Sequence, residues 1–177
     1  MVQYRSSYEV PPLGRQNLRD YAKYVRSKLN ITTPYFPVVQ LLESLNSIIG
    51  VDYDIIDDSE WAKRFGEDEH AQYNLTDKII YVKSSVYEGA CNDFGRDRFT
   101  IAHEIAHALL LDDTKIKFCR SDSNKPIVTY KNPEWQADCL AGELLVPYHL
   151  CKNMSVRTIM KECCVSFEAA NYQRNKF

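Results

Sequence analysis

No stretch of this sequence comes near the roughly 20 consecutive apolar residues that a membrane-spanning helix needs, so no membrane role is expected. The formal net charge is only −2, which leaves no basic footprint for direct contact with nucleic acid. The start, Met1 to Tyr8, lacks the apolar core of a secretory signal, and the expectation is a cytoplasmic protein. No two cysteines stand at the C-x-x-C spacing of a thiolate zinc knuckle. The six that are present are Cys91, Cys119, Cys139, Cys151, Cys163 and Cys164. In a chain with no secretion signal they are expected as reduced thiols rather than three disulfides. There is no internal repeat, no low-complexity tract and no linker. What is there is a chain of 177 residues, 45% of them hydrophobic, which suffices for one globular domain with a sizeable core.

Proline and glycine are also missing from Arg98 to Leu111, so this stretch is free to be helical. It is apolar on almost every side, as a helix buried in a core would be. Past Arg98, the exceptions are Thr100, His103, Glu104 and His107, spaced i, i+3, i+4 and i+7 on one helical face. A polar stripe on a buried helix must face something that satisfies it. Histidines at i and i+4 stand one above the other, with Cβ atoms about 5–6 Å apart. Both imidazoles can then reach one Zn²⁺ at about 2.0–2.1 Å. Glu104 is rotated off that axis and can act as general base on a zinc-bound water, the nucleophile.

A catalytic zinc usually takes three protein ligands and leaves a position for water. Asp113 and Glu134 are the candidates for the third. Asp113 is six residues past His107, but Leu110 stands where a glycine would be needed to turn the chain. Glu134 opens a later helix, with Asp138 one turn on and on the same face. Glu134 can bind the metal, while Asp138 accepts the free N–H of a ligand histidine, His103, and holds its tautomer. An oxyanion donor is also required, and Tyr130, Tyr148 and His149 are candidates by residue type only.

The rest of the chain is punctuated by its breakers. Residues 1–14 read as an extended arm, interrupted by Pro11, Pro12 and Gly14. Helices follow at about 15–29 and 37–47, the second closed by Gly50. Residues 51–56, 70–75 and 79–83 read as strands, the last two as a hairpin across Thr76, Asp77 and Lys78. Residues 84–95 connect them to the histidine helix, with Asn92 or Asp93 as its cap. Residues 121–126 read as a loop. Asn132 and Pro133 then open a helix that Pro147 stops. The expected class is α+β: a mainly helical, zincin-like domain with a small antiparallel sheet of about three strands beside the histidine helix. Residues 1–33 are expected as an arm and helix packed on a domain of residues 34–177.

Two segments carry a resemblance. The run from Arg98 to His107 is similar to the R-F-T-x-A-H-E-x-x-H run of the ImmA/IrrE metallopeptidases. Glu134, Ala137, Asp138, Leu140, Ala141, Leu144, Leu145 and Pro147 match that family's second pattern, with Leu140 where phenylalanine is common. The tail from Val165 to Ala170 also looks like its V-S-x-x-A segment. The resemblance implies a bacterial or phage-encoded zinc endopeptidase with Glu134 as third ligand. It also implies an anti-repressor whose partner is a helix-turn-helix repressor that it cleaves or inactivates. The competing expectation is a zinc-containing antagonist that works by binding alone, although a purely structural zinc would have no use for Glu104. A third reading makes residues 150–174 a DNA-contacting helix-turn-helix, but Glu162 and Glu168 oppose their few basic residues.

Overall fold

The computed structural model describes residues 8–111, 119–120 and 127–177. Residues 1–7, Asp112, Asp113 and the loop expected at 121–126 lie outside the described residues. The elements run β1 (Tyr8–Glu9), α1 (Arg15–Lys28), α2 (Val38–Ile49), β2 (Asp52–Ile56), α3 (Asp58–Arg64), β3 (Ala71–Asn74) and β4 (Ile79–Lys83). They continue α4 (Ser84–Cys91), α5 (Gly95–Leu111), β5 (Cys119–Arg120), α6 (Pro133–Leu145), α7 (Tyr148–Cys151), α8 (Val156–Cys163) and α9 (Phe167–Arg174). Among the described residues no helix is long and apolar enough to cross a membrane.

The histidine helix α5 runs through the middle of the molecule. Ile101, Ala102, Ile105, Ala106 and Ala108 have no exposed surface. Each fully buried isoleucine contributes about 2 kcal/mol of transfer free energy. Helices α2, α4 and α6 and strands β3 and β4 pack around α5. Helix α6 lies antiparallel to it, since Glu134 meets His107 and Asp138 meets His103. The sequence features that open α6 act as expected. The Asn132 side chain accepts hydrogen bonds from the amides of Glu134 and Trp135, and Pro133 occupies the first turn. Helix α1 packs on the other side of α6. There the buried Glu143 carboxylate is met by Arg15 at 3.3 Å and Arg19 at 3.0 Å, as a charge removed from water requires.

The sheet corrects the sequence reading in one respect. Its order is β2-β4-β3, and it is mixed: β3 and β4 form the expected antiparallel hairpin, but β2 runs parallel to β4. The reason lies in burial and connection. Ile80 and Val82 are wholly buried and Tyr81 nearly so, so both faces of β4 need cover and it takes the centre. The chain leaving β2 must then pass through α3 and β3 before β4 can lie beside it, which restores its original direction. Trp61 of α3 covers Tyr81 and Ile56 in a small second core. Strand β3 is left at the edge, against α5.

Two other local features differ from the expectation. Part of the connection at 84–95 is the helix α4, and Asp93 follows it with a φ of 61°. The Asp93 carboxylate pairs with Arg98, which is fully buried. Arg98 also donates to the carbonyls of Cys164 and Phe36 and to the Tyr35 hydroxyl. One guanidinium thus ties the base of α5 to the segments before α2 and before α9. The cysteines whose side chains are described, Cys91, Cys139, Cys151, Cys163 and Cys164, are free thiols.

Candidate metal centre

His103 and His107 present their Nε2 atoms to one point because they stand one turn apart on α5. Those two atoms are 3.0 Å apart. Glu134 Oε2, brought by the first turn of α6, lies 3.4 Å from the Nε2 of His103 and 3.3 Å from that of His107. Among the described residues, this trio is the one group of at least three metal-ligating side chains with donor atoms within 4.8 Å of one another. The triangle has a chemical meaning. A tetrahedral zinc with arms of about 2.0–2.1 Å separates its ligand atoms by about 3.3 Å, which matches these edges. Two imidazole nitrogens and a carboxylate oxygen are also an ordinary donor set for zinc. The residues present therefore fit a divalent metal.

The surroundings prepare the donors. His103 Nδ1 lies 2.8 Å from Asp138 Oδ1, so the N–H on that side is given to the carboxylate and Nε2 is left to face the cluster. Burial lowers the pKa of His103. Hydrogen bonds to Asp138 and Glu134 and the charge of Glu104 outweigh that and push it up to about 10. Hydrogen bonds from His103 and His107 hold the Glu134 carboxyl well below the usual carboxylate range. Without a metal the cluster is thus a charged, hydrogen-bonded knot, and a metal must displace a proton to enter it.

Glu104 stands beside this knot in the same cleft, a hollow of about 370 Å³ lined also by Tyr8, Tyr73 and Leu75. Its Oε2 accepts the Tyr73 backbone N–H at 2.7 Å, so edge strand β3 orients the carboxylate. The residues singled out in the sequence, His103, Glu104, His107, Glu134 and Asp138, are therefore brought together. Asp113 is outside the described residues. The three oxyanion candidates chosen by type do not line the cleft. Tyr148 lies under the Arg19 guanidinium at 4.2 Å and meets Phe177 edge to face. Burial, and then the charges of Arg26 and Lys23, lower the pKa of His149. Tyr130 is half exposed beside α6. The tyrosines that line the cleft are instead Tyr8 and Tyr73, the latter meeting Glu104 through its backbone N–H. Burial and the charge of Glu134 raise the pKa of Tyr8. Nothing in the local pattern of the N-terminal arm signals that Tyr8 returns to the site.

Comparison with known proteins bears on this geometry. No curated protein matches the sequence. A solved structure of a Mycobacterium tuberculosis transcriptional regulator shares the fold, with a TM-score of 0.59 at 15% identity over 89% of this chain. The chain spans about half the length of that protein, 46%. The model of the IrrE N-terminal-like domain, peptidase M78, matches residues 63–174, which is more than half of the 177 residues and includes α5, its histidines, Glu134 and Asp138. The chain belongs to the peptidase M78 family, as an IrrE N-terminal-like domain.

Proposed function

We propose that this chain is a zinc-dependent endopeptidase that cleaves a regulatory protein partner. The observation that carries this reading is the His103, His107 and Glu134 donor triangle with the Glu104 carboxylate in the same cleft. His103, His107 and Glu134 would hold the metal, and Asp138 would keep His103 in the tautomer that offers Nε2. Zinc, when bound there, supplies Lewis acidity toward the scissile carbonyl and lowers the pKa of water toward about 7. Glu104 takes the proton of the attacking water and delivers it to the leaving amine. Its Oε2 is occupied by the Tyr73 amide, which leaves Oε1 for that exchange. Strand β3 is an edge strand that lines the cleft, so an extended peptide can pair along it and lie across Glu104.

The partner in this reading is a helix-turn-helix transcriptional repressor of a phage or mobile element. The family resemblance supports that choice, and the M. tuberculosis chain of the same fold is itself a transcriptional regulator. The test is metal content followed by cleavage. The purified protein binds about one zinc per chain, and Glu134→Ala loses it or binds it much more weakly. Glu104→Gln keeps the zinc and abolishes cleavage of a helix-turn-helix repressor substrate. Absence of zinc after reconstitution refutes the reading. Full relief of repression by Glu104→Gln in cells refutes catalysis and favours a binding antagonist.

A further inference from the structure

The polar stripe on α5 contains one residue that the metal site does not use, Thr100. It lines a second hollow, a cavity of about 490 Å³ between α5, α6 and α9. Cavities of about 300–1,000 Å³ are the size that encloses organic groups. The walls are mainly apolar, with Phe99, Trp135, Leu145, Val165 and Ala169 among them. The cavity adjoins the metal cleft. His103 lines the cleft, Asp138 lines the cavity, and the 2.8 Å hydrogen bond between them is the partition. Thr100 is about one helical turn, some 5 Å, from His103 along the same face of α5.

One polar group in this lining is unsatisfied. Gln173 of α9 is 2% exposed, and its Nε2 has no hydrogen-bond partner. The orientation of its amide is settled by Arg15, a pure donor, which donates to Oε1 at 3.2 Å. Gln173 lies across Gly142, where an added Cβ would fall 2.4 Å from Nε2. A glycine on α6 is thus what lets this amide reach the cavity wall. A buried N–H donor without a partner is costly, and a ligand carbonyl would relieve it.

We propose that this cavity receives a large uncharged, apolar side chain of the peptide substrate, next to the scissile bond, and that Gln173 donates to a backbone carbonyl of the same peptide. The assignment rests on the peptidase reading above. An extended chain advances about 3.3 Å per residue, so a peptide crossing His103 brings a neighbouring side chain to Thr100 within one or two residues. The walls reject charged side chains, which would lose their hydration without a partner. Of the charged groups in the lining, Asp138 is engaged by His103 and Arg96 by His70 at 2.8 Å, and Glu168 is exposed to solvent.

Trp135 in the cavity wall reports occupancy by fluorescence, since Trp61 is sealed in the small core under the sheet. The probes are the N-acetyl amides of phenylalanine, leucine, glycine and aspartate, added to the zinc-loaded protein. The phenylalanine and leucine amides bind at least about tenfold more tightly than the other two. Ala169→Phe, which fills the cavity, removes that preference. Gln173→Leu weakens the amide probes about tenfold and leaves ethylbenzene, which has no acceptor, unchanged. Equal binding of all four amides, or unchanged binding in both variants, overturns the proposal. Should Ala169→Phe fail to fold, Gln173→Leu decides alone. Digestion of a peptide library separates this proposal from the peptidase reading. Cleavage with no preference for an apolar residue beside the cut overturns the cavity assignment and leaves the peptidase. Probe binding in the cavity without cleavage of any peptide overturns the place of the side chain beside a scissile bond, and the peptidase reading with it, and leaves an apolar side-chain site.

Discussion

Zinc binding should release about one proton per ion at pH 7.5, and the carboxylates around His103 are the cause. A metal needs the lone pair on Nε2, so a proton carried by the ring must leave. An ordinary imidazole with a pKa of about 6.5 is only about one-tenth protonated at pH 7.5 and would release about 0.1 proton. In the folded, metal-free protein, burial lowers the His103 pKa, but Asp138, Glu134 and Glu104 raise it to about 10. The ring is then almost fully protonated, and close to one proton comes off. Zinc affinity therefore rises about tenfold, or about 1.4 kcal/mol, for each pH unit between 7 and 9. The effect on stability has a definite sign. The raised pKa of His103 stabilises the metal-free fold fully below about pH 6.5, and this is lost as the pH rises through about 10. The depressed pKa of Glu134 stabilises it above about pH 4.5, and this is lost as the pH falls through its lowered value. The metal-free protein is thus favoured on the acid side of neutrality, and the gain in Tm from zinc grows as the pH rises. The assay is calorimetric titration with zinc in buffers of different ionisation enthalpy, for the wild type and Asp138→Asn. A proton lost from coordinated water appears in both and cancels in the difference. The variant should release fewer protons. A count near 0.1, or an affinity that stays flat above pH 7.5, would refute the reasoning.

Other expectations follow from single residues. Arg98→Met strands the carbonyls of Phe36 and Cys164 and should cost about 3 kcal/mol in urea unfolding; a loss below about 1 kcal/mol would mean that water replaces the guanidinium. Asn132→Ala removes the cap of α6 and should cost about 1 kcal/mol. Because Glu134 sits in that first turn, the same variant should bind zinc several-fold more weakly, as a chelator competition would read. Gly95→Ala puts a Cβ 2.5 Å from the Ser166 amide nitrogen and 2.8 Å from Val165 Cα, backbone that cannot swing aside. A thermal melt should show a loss of about 1–3 kcal/mol, and an unchanged Tm would mean that the start of α9 is free to move.

Much of the site was legible because its information is local. The spacing of His103, Glu104 and His107 alone puts them on one face of a helix, and Asn132 with Pro133 marks where Glu134 begins the next. An i, i+4 step also places Asp138 on the same side of α6 as Glu134. Chain-local patterning equally located the hairpin and the closing glycine of α2, whose φ is 72°. What joins distant segments was not legible. The direction of β2 relative to β4 depends on which strand must be buried on both faces, and that is decided by how α3 and α5 cover the sheet. Tyr8 reaches the cleft from a segment with no pattern of its own, whereas Tyr130 and Tyr148, equal to it in residue type, and His149 are elsewhere. The unsatisfied Nε2 of Gln173 and the cavity beside it exist only because α9 crosses α6 at Gly142. The sequence by itself determined the donors and the faces they occupy, because helix periodicity and capping act within a few residues. Only the tertiary structure decided the sheet direction, the tyrosines of the cleft and the cavity next to it, because those follow from which buried surfaces fill the same space.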